Sequence, residues 1–245
     1  MHPLDNIIWS ALTTRQTEFA QSFGDARRFM PEVTSLGGFR EPSAKGYESL
    51  AELLGERGTA GLFLDEPYEE REDWTLVAKA PLLQMVYRSG SQAGLGPADS
   101  RERLSLHGVR GKEHTKITEL GVADSPEMIA LTALTKPGPF GKRTHELGTY
   151  LGIRRDGRLV AMAGERMKVP GFTEVSAVCT HPEHLGNGYA GRLMTEVMRR
   201  IIERGETPFL HVREDNARAI QLYERLRFEV RVRLHLAVVR RGCSA

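Results

Sequence analysis

The stretch from Glu174 to Ile202, "EVSAVCTHPEHLGNGYAGRLMTEVMRRII", constrains this chain more than any other. An apolar, strand-like run leads into a short polar loop, three glycines spaced G-x-G-x-x-G (Gly186, Gly188, Gly191) and a helix. From Tyr189 onward apolar pairs recur every fourth position: Tyr189/Ala190, Leu193/Met194, Val197/Met198 and Ile201/Ile202. Arg192, Glu196, Arg199 and Glu203 fall on the other face, which predicts one buried helical stripe, ended by Gly205. A strand, a glycine loop and a helix start aim free backbone N–H groups at one point. Missing side chains let a large anion approach, and the helix dipole favours it. A phosphate or pyrophosphate is the natural guest; the competing reading is a tight turn that needs glycine for its own geometry.

A dinucleotide domain would put its first glycine directly at a strand end. Here "HPEHL" intervenes. Asp156-Gly157, set between the apolar runs of "TYLGIRRDGRLVAMAG", predicts a hairpin and so antiparallel strands before the glycine loop. The acid expected about 20 residues on would fall near Glu206, which begins a strand instead of ending one. A nicotinamide-linked enzyme is disfavoured.

Around this centre "KITEL" reads as a strand and "DSPEMIALTAL" as a helix capped by Asp124 or Ser125. "TKPGPFGKRTHELG" reads as a long loop, "FTEVSAVCT" and "PFLHV" as strands, and "DNARAIQLYERLRF" as a helix capped by Asp215 or Asn216. "EVRVRLHLAVV" reads as a last strand, with the basic run around it a solvated face. In the first half "TEFAQSFGDARRFM" and "YESLAELLGERG" look helical, while "TAGLFLDE" and "WTLVAKAPLLQMVYR" are strands or short helices. The glycine- and serine-rich "SGSQAGLGPADSRER" is a loop or linker, and a soft boundary near Lys112 divides residues 1–112 from 113–245. The fold expected is α/β (α+β), with a mixed sheet and a late crossover.

With 245 residues and a net charge of +2, the chain gives no electrostatic argument for nucleic acid. No apolar run approaches the roughly 20 residues of a membrane span, and the first residues lack a signal-peptide pattern. Two cysteines, Cys179 and Cys243, make no disulfide framework, which fits a cytoplasmic setting.

"CTHPEHLGNGYAGRL" resembles the acetyl-coenzyme A loop of GNAT-type N-acetyltransferases. That family's pattern of Arg or Gln, two residues, Gly, one residue, then Gly or Ala falls on Leu185, Gly188 and Ala190, with Leu185 departing from it. "DNARAIQLYERLRF" is similar to the second hallmark of the family, Asn-x-x-Ala followed by Leu-Tyr-Glu and Gly-Phe, with Arg227 where Gly is usual. The resemblance covers about Lys116 to Arg240. It implies a mostly antiparallel sheet flanked by helices. Residues 1–112 would form an additional N-terminal α/β domain, similar to the degenerate acetyltransferase-like half that some relatives carry.

The resemblance also implies direct transfer of acetyl from acetyl-CoA to an amine of a small molecule, amino acid or peptide. Neither nucleic acid, membrane nor metal is expected to take part, and a monomer or homodimer is expected. The backbone of Gly186, Asn187, Gly188, Tyr189, Ala190 and Gly191 would hold the pyrophosphate. Val178, Cys179 and Thr180 would pair with the pantetheine arm; Asn216, Ala219 and Tyr223 complete the cofactor contacts. Tyr223 is the expected acid for the departing thiolate. The amine base is Glu174, placed by strand alternation on the face of Val178 and Thr180, with Glu165 second and a water relay as the alternative. Cys179 falls on the opposite face, as a buried structural cysteine instead of an acyl carrier. His181 and His184 lack further ligands at metal spacing, and His211 reads as packing. The acceptor is expected beside the loop from Lys136 to Gly148, with Arg143, His145 and Glu146 for recognition. The alternative function is a non-catalytic acyl-CoA-binding sensor on the same fold.

Overall fold

The computed structural model describes residues 2–56, 58–89 and 116–242. Its centre is an eight-stranded sheet in the order β4-β11-β5-β10-β9-β8-β7-β6. The strands are β4 (Thr59–Leu64), β5 (Trp74–Tyr87), β6 (Ile117–Leu120), β7 (Tyr150–Arg155), β8 (Arg158–Val169), β9 (Phe172–Thr180), β10 (Thr207–Arg213) and β11 (Phe228–Arg241). Every pairing is antiparallel except β9 with β10. The β7–β8 hairpin turns at Asp156 and Gly157, both at positive φ (50° and 79°), the mirror-image turn that Asp-Gly favours.

A smaller antiparallel sheet precedes it: β1 (Ala20–Phe23), β2 (Ala26–Phe29) and β3 (Gly37–Phe39). The segment "TEFAQSFGDARRFM", expected as helix, forms its first hairpin, because Gly24 takes a φ of 46° and reverses the chain between two short strands. Helices α1 (Ile7–Thr13) and α2 (Ala44–Leu54) cover this sheet. Ile7, Ile8, Ala11 and Leu12 of α1 join Phe29, Met167 and Phe209 in one buried cluster, which welds the small sheet to the large one.

The two open segments of the first half resolve as strands β4 and β5. β5 lies between β11 and β10, paired to each. The main sheet therefore draws strands from both sides of the boundary expected near Lys112, a residue that itself lies outside the described ones, as does Cys243.

Helix α4 (Tyr189–Glu203) packs the expected stripe, Leu193, Met194, Val197, Met198 and Ile201, against one face of β7–β10. Each such buried side chain contributes on the order of 1.5–3 kcal/mol. Helix α3 (Ser125–Thr135) covers β8 and β9 with Met128 and Leu131, in a separate cluster with Ala177 and Cys179. Helix α5 (Ala217–Arg225) packs on β11.

Two irregularities in the sheet make a site possible. The parallel β9–β10 ladder lasts three residues, Phe172–Glu174 against Thr207–Phe209, and then the strands part. In β9, Ala177 takes a φ of 52° and forms a bulge: Ser176 faces Gly164, and Cys179 faces Met162. Val175 and Val178 consequently both pack toward α4, while Ala177 and Cys179 pack toward α3. This corrects the simple alternation read from sequence. Glu174, next to Val175, faces away from the side of Val178, because the bulge inserts one residue between them.

Candidate active site

Where β9 and β10 separate, a cleft of about 1270 Å³ opens through the sheet. One wall is the glycine loop, the start of α4 and one side of α5. The other comes partly from the first half of the chain: Leu36, Phe63, Leu82 and Leu236 form its apolar part, and Arg166 and His211 its polar part.

The glycine wall is built by backbone. His181 Nδ1 accepts from the amide of Glu183, Asn187 Nδ2 donates to the His184 carbonyl, and together they fix the turn after β9. Gly186 and Gly188 lie at φ 85° and 72°, conformations a side chain would strain. Around Gly186 a Cβ would meet nothing within 4 Å, so the loop leaves open space on the cleft side. Gly188 starts α4 with no side-chain cap and no acidic residue in the first turn. The first-turn N–H groups of this 15-residue helix are thus free for an anion. A pyrophosphate fits this cradle in charge and in space. His181 and His184 touch only as rings, with centroids 5.8 Å apart, and no group of three potential metal ligands occurs among the described residues.

On α5, Asn216 Oδ1 accepts from the Ala219 amide at 3.1 Å and so caps the helix. Asn216, Ala219 and Tyr223 all line the cleft. Tyr223 is buried, and burial pushes its phenol up to about 12. Val178, Cys179 and Thr180 also line it, on the β9 edge that β10 has left. Burial pushes the Cys179 thiol up to about 11, partly offset by bonds with Thr135 and the Met162 backbone. A thiol of that kind stays protonated and unreactive near neutrality, as the structural reading of Cys179 requires.

The two candidate bases are both engaged. Glu174 is fully buried and receives Arg166 Nε at 2.8 Å, Arg166 Nη2 at 2.7 Å and the Met167 amide at 3.2 Å. His211 Nδ1 lies 2.8 Å from Glu174 Oε1, the oxygen that Arg166 Nη2 also reaches. Burial alone would raise this carboxyl, but the adjacent Arg166 guanidinium and its bonds, with His211, hold it down at about 2. A carboxylate so saturated is a poor proton acceptor, and it is the Arg166 and His211 side chains in front of it that line the cleft. The geometry therefore gives Glu174 a positioning role in place of the base role. Glu165 is buried between Lys168 Nζ (2.9 Å) and Arg204 Nη2 (2.8 Å) and does not reach the cleft lining, so the structure does not bring it to the site.

Sequence reading missed the rest of this polar chain. Arg231 donates to Gln84 Oε1 at 2.8 Å, which turns the Gln84 amide nitrogen toward His211 Nε2, 3.2 Å away. His211 Nε2 is then the acceptor, and Nδ1 carries the proton toward Glu174. The backbone behind Arg166 is held too: Gln16 Nε2 donates to its carbonyl, and Gln16 Oε1 accepts from the Lys168 amide. The one trace in the sequence is a set of polar residues inside otherwise apolar strands: Gln84, Arg166, Glu174 and His211.

Of the loop expected at the acceptor side, Lys136, Pro137, Gly138 and Pro139 line the cleft. Arg143 and Glu146 instead pair with each other at 2.9 and 2.7 Å outside it, and His145 is likewise not part of the lining. The Arg143 amide donates to the Glu32 carbonyl, so this segment docks onto the first half of the chain.

The family model described as FR47-like protein matches residues 150–236. A putative acetyltransferase from the GNAT family of Novosphingobium aromaticivorans is 36% identical, with each chain covered in full and a TM-score of 0.82. A mycothiol acetyltransferase of Brachybacterium faecium is 35% identical over 165 residues, 61% of this chain and 50% of the relative. The chain thus spans half the length of that curated relative. A GCN5-related N-acetyltransferase from Kribbella flavida shares the fold at 18% identity, with a TM-score of 0.58 over 95% of this chain and 93% of its own.

Proposed function

This chain belongs to the GNAT family of acetyltransferases, and on that premise we propose that it moves the acetyl group of acetyl-CoA directly to the amine of a small molecule or peptide. The observation that carries the reading is the open, uncapped start of α4 beside the edge of β9 that β10 has left. Gly186 to Gly191 would hold the pyrophosphate with backbone N–H groups. Val178, Cys179 and Thr180 would pair with the pantetheine arm as though it were the missing strand, and a backbone amide there would polarise the thioester carbonyl. The amine nitrogen attacks that carbonyl carbon, the carbon–sulfur bond breaks, and the sulfur leaves as thiolate.

Tyr223 supplies the proton to that sulfur. Its phenol is protonated throughout the working pH range and lies on the cleft wall. Among the described residues no Asp or Glu side chain lines the cleft. The amine proton accordingly passes to water instead of a dedicated carboxylate. The reading places the protein in the cytoplasm, in keeping with the free thiol of Cys179.

Titration calorimetry with acetyl-CoA, CoA, NAD and NADP tests the reading, followed by an amine screen that detects free thiol release. Binding of acetyl-CoA and CoA with no nicotinamide binding is the expected result. Absence of any CoA binding to the folded protein sinks the proposal. Binding without thiol release across the screen moves the chain to the non-catalytic sensor.

A further inference from the structure

We infer that the acceptor is an amine that also carries a carboxylate and an apolar body, the carboxylate seated on the free edge of Arg166 and the body on Leu36, Phe63 and Leu82. The inference rests on the acetyl-transfer reading and names the substrate class of that same cleft.

Charge is its first support. Lys136, Arg155, Arg166, Arg192, Arg213, Arg218 and Arg225 line the cleft, and among the described residues no acidic side chain does. Arg192, Arg218 and Arg225 belong to α4 and α5, on the phosphate side. Arg166 and Lys136 lie at the other end, with the apolar residues of the first half. A polycationic acceptor would meet only like charge there, whereas an amine paired with a carboxylate brings its own counter-charge. Cations facing the amine also favour its neutral, nucleophilic form, which suits a cleft that offers no carboxylate base.

The second support is the way Arg166 is held. Nε and Nη2 are both taken by Glu174, a bidentate pair that fixes the guanidinium plane. Nη1 makes no hydrogen bond among the described residues. It lies below Gly138, where an added Cβ would sit 3.8 Å from it. A guanidinium edge with its plane already fixed suits a carboxylate oxygen.

The third support is shape. Leu36, Phe63, Leu82 and Leu236 give this end an apolar wall, with the half-buried Phe63 ring tilted against His211, their centroids 4.7 Å apart. A small hydrophilic amine would leave that wall wet.

The test compares matched acceptors with the full chain and acetyl-CoA: phenylalanine against phenylalaninamide and phenethylamine, leucine against its amide and isoamylamine, and spermidine as the polycation. The panel is extended to all the common amino acids, and thiol release is followed. The expected kcat/KM for the carboxylate-bearing acceptor is at least tenfold above its amide and its decarboxylated form, with spermidine inert. Arg166→Lys should collapse that ratio toward one through KM, with acetyl-CoA affinity unchanged. Phe63→Ala should lower turnover of the large apolar acceptors more than that of alanine. Equal or better turnover of the amides, the decarboxylated amines or spermidine overturns the inference. So does a panel in which no carboxylate-bearing amine is turned over although acetyl-CoA binds, an outcome that leaves the acetyl-CoA site standing. Failure of acetyl-CoA to bind removes both readings together. Should Arg166→Lys not fold, the wild-type ratios still decide; a folded variant that keeps the full preference removes the carboxylate from Arg166.

Discussion

The two walls of the cleft are made in opposite ways. The glycine wall comes mostly from one stretch of sequence, residues 178–180 and 184–192, joined by one side of α5, and its loop presents backbone groups. The opposite wall is assembled from Leu36, Phe63, Leu82, Arg166, His211 and Leu236, and its polar part is a chain of side chains running from Arg231 through Gln84, His211 and Glu174 to Arg166. A wall of backbone can be damaged locally with little cost to the fold. A wall of mutually satisfied buried side chains cannot lose one member without stranding the next. Changes on the far wall should therefore register first as stability, and changes on the glycine wall first as ligand binding.

Glu174→Gln is the strongest way to break that division. It leaves Arg166, 6% exposed, as a buried cation without its counter-charge, at an expected cost of about 3–5 kcal/mol. Urea unfolding should show the loss directly. A cost below about 1 kcal/mol would mean that the pair is solvated like a surface bridge. The same group sets an acid limb. In the folded state its carboxyl is held at about 2, below the ordinary 4.5. The stability it contributes is complete above 4.5 and is lost as pH falls through that value toward 2. Wild-type stability should decline across this window, and the Gln variant should lack that part of the decline.

The same contrast explains what could be read in advance. The glycine loop, the Asp156-Gly157 hairpin, the α4 stripe and the Asn216 cap are local patterns, each complete within one segment. The β1–β2 hairpin was hidden because Ala20, Phe23, Ala26 and Phe29 repeat at a three-residue spacing that also suits a helix face, and only the φ of Gly24 decides between them. The bulge at Ala177 had no signature at all: alanine seldom takes positive φ, and the strand reads as regular without it. That one residue moved Glu174 away from the face of Val178. The insertion of β5 between β10 and β11 is likewise a long-range pairing that composition does not report. Polar residues in apolar strands marked where a buried network had to exist, but not which of them would meet.

Gly188→Val attacks the other wall. A branched side chain at φ 72° strains the turn and occupies the approach to the α4 N-terminus. Acetyl-CoA affinity should fall more than a hundredfold, over about 2.7 kcal/mol, with a loss of only about 1–2 kcal/mol in stability. Unchanged affinity by calorimetry would make the glycines a turn device and nothing more. Tyr223→Phe sharpens the division from within the same wall, because it removes a proton without removing a contact surface. On the order of a hundredfold should be lost from kcat, with acetyl-CoA affinity within about twofold of wild type. Full activity in the Phe variant would assign thiolate protonation to water.

The smallest expected effect separates strain from function on the glycine wall. Arg227 follows α5 at φ 66°, where its amide donates to the Glu224 carbonyl at 2.9 Å and its carbonyl accepts from the Arg88 amide at 2.9 Å. The left-handed conformation costs an L-residue about 1–2 kcal/mol, and glycine adopts it without that cost. Both bonds are made by the backbone and survive the substitution. Against the relief stands the greater chain entropy of glycine in the unfolded state, roughly 0.5–1 kcal/mol. Arg227→Gly should thus gain about 0.5–1 kcal/mol, a rise of roughly 1–3 °C in Tm for a chain of this length. Because Arg227 lies outside the cleft lining, acetyl-CoA affinity should stay unchanged. A drop in Tm would show that the Arg227 side chain itself holds the α5–β11 corner. A change in acetyl-CoA affinity would show that the tension in this corner reaches Tyr223, and the two walls would then differ less than their construction implies.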